Sequence, residues 1–228
     1  MKMDSIRARA SLDEAIKRIS NVEKAAYLEA LKRAPHLVET ESDPLCFLQA
    51  DDYDYCNAAG RIAAYWEERK KFFGDRAFLP LTLVGASDSA LSEETIRFIR
   101  SGVFLLLPND SSGRSVICCL QDKFRKYPID LALQALFYHH FILMRNTQNR
   151  DGGYVFIIRG DNAGEARRRK LLIELLRKAM PLKMHSIYFL TEDGLNPIIF
   201  NLWKWYSNVF KSAHFCETKA GPKEVFWS

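Results

Sequence analysis

Glycine and proline are scarce in this chain, 11 and 8 among 228 residues, which excludes collagen-like, Gly-rich and low-complexity architectures. No internal repeat of the solenoid or propeller kind is visible. No apolar run reaches membrane-spanning length. The longest, 131–144, is interrupted by Gln134, His139 and His140, and the N-terminus MKMDSIRARASLDEA contains no signal-peptide core. Five cysteines (Cys46, Cys56, Cys118, Cys119, Cys216) make an odd set without Cys-x-x-Cys spacing or a matching histidine pair. Neither a disulfide framework nor a zinc site follows, and the cysteines read as small apolar fillers. The expectation is a reduced, cytoplasmic, non-spanning protein.

Signatures of catalysis are missing too. Gly152-Gly153 precedes an apolar run instead of opening a helix and lacks Gly-x-Gly-x-x-Gly spacing; Gly-Lys-Ser/Thr and Gly-x-Ser-x-Gly do not occur. His139 and His140 are adjacent, so on a helix they point about 100° apart and cannot share a metal. Cys118 and Cys119 in a strand face opposite sides, with no activating base evident. We expect no catalytic residue, no metal and no cofactor, and read the chain as a non-enzyme.

What is present is apolar content, 48%, enough for a sizeable core. Lys plus Arg exceed Asp plus Glu by 33 to 28, and the excess is concentrated. Between 166 and 183, seven bases (Arg167, Arg168, Arg169, Lys170, Arg177, Lys178, Lys183) face one acid, Glu174. Such a run is either a solvated helix face or an attachment surface for phosphates. Nucleic acid is not expected, because no aromatics for base stacking are interleaved with the arginines.

Residues 11–73 read as helices. Ser11-Leu-Asp-Glu14 and Ser20-Asn-Val-Glu23 both fit the Ser-x-x-Glu capping box, which satisfies orphan helix amides reciprocally. Val22, Ala25, Ala26, Leu28 and Leu31 give helical spacing up to Pro35. Asp43-Pro44 starts a third helix. A fourth, from about Asp54 to Phe73, turns Ala59, Ile62, Ala63, Trp66 and Phe73 inward, keeps Arg61, Glu68 and Lys71 solvated, and is closed by Gly74. After a Pro- and Leu-rich loop (78–84), a helix from Ser92 to about Arg100 leads into apolar runs at 103–107 and 116–120, whose turn-rich link predicts a hairpin or a neighbouring pair of strands. Helices at 130–146 and 165–180 then alternate with strands at 154–158 and 187–190, followed by an aromatic helix at 197–211. The pattern is α/β: a largely parallel sheet behind an all-α N-terminal third.

In that last segment Phe200, Trp203 and Phe210 form one stripe, widened by Trp205 and Tyr206 beyond a normal core face. It reads either as a helix buried against the sheet or as a lid or membrane-surface element.

Taken in order, these signals resemble the CRAL-TRIO lipid-binding family over about residues 44 to 215. Cys46-Phe-Leu-Gln-Ala-Asp-Asp-Tyr-Asp, Ala58-Ala59 and Tyr65-Trp66-Glu-Glu-Arg-Lys are similar to the family's N-terminal helical pattern. Asp110-Ser-Ser-Gly-Arg114-Ser-Val116 resembles its Asp-x-x-Gly-Arg-Pro-Val turn, with Ser115 for Pro. Gly153-Tyr-Val-Phe-Ile-Ile looks like the strand that floors its lipid pocket, and Arg159 stands where an acid usually follows. Pro181-Leu-Lys-Met-His-Ser-Ile187 and Pro197-Ile-Ile-Phe200 are similar to its next strand and the start of its gate helix.

The resemblance implies a helical region over 1–76 and a lipid-binding domain over 77–228 with a mostly parallel sheet and a C-terminal gate helix. It implies a hydrophobic small molecule or phospholipid as ligand and a transient, peripheral membrane contact. Strand alternation puts Tyr154, Phe156 and Ile158 on one face, and Tyr188 with Leu190 likewise on the neighbouring strand. Phe200, Trp203 and Phe210 would close the pocket; Lys204, Lys211 and Arg167, Arg168, Arg169 and Lys170 would meet anionic headgroups. No counterpart of the family's last strand is seen in 217–228, so an edge strand is expected to be missing. The alternative is a degenerate relative, a protein-interaction scaffold without a working pocket.

Overall fold

The computed structural model describes residues 2–160, 166–191 and 213–217. Helix α1 (Lys2–Arg18) begins well before the Ser11 box. The Ala- and Arg-rich residues ahead of Ser11 are good helix formers and carry the helix through it. The Ser20 box does form: Glu23 N donates to Ser20 Oγ at 3.2 Å and Ser20 N to Glu23 Oε2 at 3.3 Å. It precedes α2 (Ala25–Arg33), whose inward side is centred on Tyr27 and Ala30. Val22 (88% exposed) and Leu31 (41%) lie outside the core, so the helical stripe read from the sequence is rotated from the buried one. Pro35 both ends α2 and opens a further helix, α3 (Pro35–Thr40), at a position where its missing N–H costs nothing.

Asp43 caps α4 (Pro44–Ala50) by accepting from Leu45 N at 3.0 Å. Asp54 caps α5 (Tyr55–Phe73) by accepting from the Cys56 and Asn57 amides. Gly74, at φ 58°, closes it. Glu68, expected in solvent, is buried between Lys71 (3.1 Å) and Lys178 (2.9 Å), so that it ties α5 to a helix more than a hundred residues away in sequence. Helix α6 (Glu93–Arg100) starts on Ser92, whose hydroxyl accepts from Thr95 N.

The hairpin expected after α6 is present, with β1 (Phe104–Leu107) antiparallel to β2 (Val116–Leu120). Helices α7 (Gln121–Phe124), α8 (Ile129–Leu143) and α9 (Thr147–Gly152) lead to β3 (Tyr154–Arg159), and α10 (Ala166–Lys178) to β4 (Met184–Thr191). Among the described residues one five-stranded sheet runs in the order β1-β2-β3-β4-β5, where β5 is Ala213–Glu217. β2, β3, β4 and β5 pair parallel. β5 is a strand that the sequence reading did not place, because its five residues carry little local signal and its pairing with β4 is non-local; 218–228, where no counterpart of a last strand was expected, lie outside the described residues. With helices and a mixed sheet, the chain is of the α/β class.

One apolar cluster runs from Leu12 to Ile187, joining the N-terminal helices, α8, α10 and one face of the sheet. Gly153 sets the entry of β3. It adopts φ 73°, ψ −168°, a region open essentially to glycine alone, and a Cβ there would stand 2.5 Å from the Lys183 carbonyl. Gly153→Ala should cost about 2 kcal/mol of stability; a urea midpoint indistinguishable from that of the parent chain would refute this.

Candidate functional site

The site is built on β3 and β4. Their parallel register sets Phe156 opposite Ile187, Ile157 opposite Tyr188 and Arg159 opposite Leu190. Neighbours in register point to the same side of a sheet. Tyr154, Phe156 and Ile158 therefore share a face with Ile187, and this face packs on the helices. Tyr188 and Leu190 share the opposite face with Val155 and Ile157 of β3 and Val116 and Cys118 of β2. The alternation read from the sequence holds within each strand. The single lipid-lining wall of Tyr154, Phe156, Ile158, Tyr188 and Leu190 does not, because the register between strands, which no local pattern encodes, sets the two groups on opposite faces.

On the inner face Tyr154 is committed to structure. It is fully buried and lies 3.1 Å from His140 Nε2, edge-on to that ring. Burial pushes its hydroxyl pKa up, so it keeps its proton and donates to His140. His140 and His139 direct Nδ1 to the carbonyls of Leu136 and Ala135, each at 2.8 Å, one turn back along α8. Among the described residues no three His, Cys, Asp or Glu side chains gather as metal ligands would.

The outer face has a different make-up. Val116, Cys118, Val155, Ile157 and Leu190 are buried, and Leu105, Leu107, Leu120 and Tyr188 flank them. All nine come from β1 to β4, and all but the Tyr188 hydroxyl are apolar; the same face also carries buried Ser186, in register with Val155, and exposed Arg159, in register with Leu190. Burial pushes the Cys118 thiol up to about 11, which keeps it protonated and unreactive at neutral pH. Val155 and Ile157 were missed by the sequence reading, although one signal pointed to them: β3 is apolar at five successive positions, the mark of a strand buried on both faces. Phe200, Trp203, Phe210, Lys204 and Lys211 lie outside the described residues.

The arginine run is divided by the helical period. Arg167 and Lys170 are exposed, Lys170 standing 3.7 Å from Glu174. Arg168 bends back onto the turn after α7, where it donates to the carbonyls of Phe124 (3.3 Å), Arg125 (3.4 Å) and Tyr127 and lies 4.3 Å over the Phe124 ring. Arg169 is 2% exposed and donates to Gln121 Oε1 at 2.6 Å. Of the four expected to meet headgroups together, two point into the protein. A separate cleft of about 430 Å³ opens between α5, α8 and α10 over Phe72, Leu133, Leu171 and Leu175, with Glu68 and Lys178 at its rim.

No described helix is long and apolar enough to cross a membrane. Comparison with protein-family models and with curated proteins found no match for this chain.

Proposed function

We propose that the chain binds one hydrophobic, lipid-like ligand against the outer face of its sheet and carries it between membranes, without catalysing a reaction. The observation that supports this is the apolar cluster on the outer face: nine side chains from four strands, with no helix side chain among them in the described residues, bordered on the same face by Ser186 and Arg159. Such a surface solvates an acyl chain at about 25 cal/mol per Å² buried. In this reading a helical region over 1–76 supports a CRAL-TRIO-like lipid-binding domain over 77–228, and the aromatic segment 197–211 is its gate, with Phe200, Trp203 and Phe210 closing over the ligand. The floor consists of Val155, Ile157, Tyr188 and Leu190, replacing the wall expected from sequence.

The test is mass spectrometry of the organic extract from protein purified out of a eukaryotic host, against an empty-vector preparation taken through the same columns. One enriched lipid class near one equivalent is expected. Val155→Phe, which adds bulk to the floor, should lower that occupancy with the circular dichroism unchanged. Phe200→Ala with Trp203→Ala should slow transfer between liposomes. A second reading, an interaction scaffold with a collapsed pocket, is favoured by one observation: Ile157, in the middle of the floor, is only 1% exposed. A folded protein that carries no lipid would establish that reading instead.

A further inference from the structure

We infer that the turn after β2, held in place by Arg168, combines with Arg167 into a docking surface for anionic lipid headgroups of a bilayer. The inference rests on the lipid-carrier reading and adds residues that the sequence did not connect. Gln121–Phe124 and the residues after it carry Lys123, Arg125 and Lys126, more than forty positions from the arginine run. Arg168 closes that gap. Its three bonds to the 124, 125 and 127 carbonyls and its stacking on Phe124, itself fully buried, fasten the turn to the start of α10. Lys123 secures the other side by donating to the Ser101 carbonyl at 3.2 Å.

The outcome is a basic surface with free cations. Arg125, Lys126 and Arg167 are exposed, and their side chains have no hydrogen-bond or ion-pair partner among the described residues. Over 121–130 and 167–170 there are seven bases (Lys123, Arg125, Lys126, Arg167, Arg168, Arg169, Lys170) against two acids, Asp122 and Asp130. Asp161 and Glu165 lie outside the described residues.

Two features favour a membrane over a nucleic acid. Phe124 is buried and Tyr127 half-buried, so among the described residues no exposed aromatic stands beside these cations to stack on a base. Position is the second. β2, β3 and β4 run parallel, so Leu120, Arg159 and Thr191 end at one edge of the sheet. The basic turn follows β2 at that edge, and the chain leaves β4 toward the aromatic segment from the same edge. A bilayer held there by its headgroups would face the side at which the proposed gate is attached.

The experiment is co-sedimentation of the full chain with phosphatidylcholine vesicles, with and without phosphatidylserine, for the parent and for the R125A/K126A double variant. Both side chains are exposed, so the variant should fold, which circular dichroism checks. The parent should prefer the phosphatidylserine vesicles and lose that preference as salt is raised. The variant should partition about 30-fold less, or about fivefold per cation removed, while its co-purified lipid, measured by mass spectrometry, stays at the parental level. Equal partitioning of parent and variant would overturn the docking surface even if the parent carries lipid, leaving the carrier reading intact. A parent without lipid whose phosphatidylserine binding is still lost in the variant would overturn the carrier reading and keep the surface. Tighter binding of a DNA duplex than of vesicles, lost in the same variant, would assign the surface to nucleic acid and refute the inference.

Discussion

Glu41→Ala should destabilise the fold by about 3–5 kcal/mol, the cost of leaving a buried cation without its counter-charge. Arg69 is fully buried and Glu41 is 3% exposed. One Glu41 oxygen accepts from Arg69 Nη2 at 2.8 Å, and the other accepts from the Leu81 amide at 2.7 Å. The rest of the guanidinium donates to the Ala77 and Leu79 carbonyls, both at 2.8 Å, and to the Tyr65 hydroxyl at 3.1 Å, while that hydroxyl donates to the Glu41 carbonyl at 3.2 Å. Trp66 lies 4.9 Å from the cation and is stacked on Phe78.

This single network fastens the segment 77–81 to α5 and to the end of α3. Truncating Glu41 leaves Arg69 charged in an apolar setting and orphans the Leu81 amide, a further loss of the kind that buried unpaired donors cause. Urea unfolding measures the effect. A loss below about 1 kcal/mol would mean that water reaches the site and the network is not closed. Replacing Arg69 by Met together with Glu41 by Leu should cost less than the two single changes added, since the pair then leaves no uncompensated charge.

The second large effect is an acid sensitivity centred on α8. Burial drives the His140 imidazole down to about 4; the Leu136 carbonyl at Nδ1 partly opposes this, and neighbouring His139 adds to it. His139 is lowered as well, mainly by burial. The unfolded chain takes up the proton near pH 6.5 and the folded chain only near 4, so between those values the unfolded state holds more protons. Stability is fully present above about pH 6.5 and falls as the pH drops toward 4. The His140 share of the loss is about 3 kcal/mol, from 1.36 kcal/mol per unit of pKa. Carboxylates contribute their own acid response, so the informative quantity is the difference from a variant. His140→Gln keeps an acceptor for the Tyr154 hydroxyl and removes the titration. Its stability should vary less between pH 7.5 and pH 4.5 than that of the parent, by about 2 to 3 kcal/mol. Parallel curves for the two proteins would rule out His140 as the titrating group.

Local signals in the chain suffice where a few adjacent atoms decide the outcome. Ser20, Asp43, Asp54 and Ser92 cap turns and helices because a short polar side chain reaches amides two or three residues on. Gly74 closes α5 because it alone takes a positive φ without strain. The Ser11 box had the same letters and a different fate, since good helix formers precede it and nothing local forces the chain to turn.

The candidate site divides in the same way. That β3 is apolar on both faces, that Tyr154, Phe156 and Ile158 point one way, and that Tyr188 and Leu190 move together all follow from the two-residue period of a strand. Which of those groups meets helices and which forms the outer apolar face depends on the register of β3 against β4, a contact across some thirty residues of chain. The same holds for charge. Four consecutive cations at 167–170 are plain in the sequence, but the tertiary structure sends Arg168 and Arg169 inward and leaves Arg125 and Lys126 of a distant turn exposed beside them. Sequence alone therefore determined the helix ends, the strand periodicity and the α/β class, because each depends on interactions within a turn or two. Tertiary structure decided which strand residues meet the helices, where β5 pairs and which cations are exposed, because those outcomes depend on burial against residues that the chain brings together only on folding.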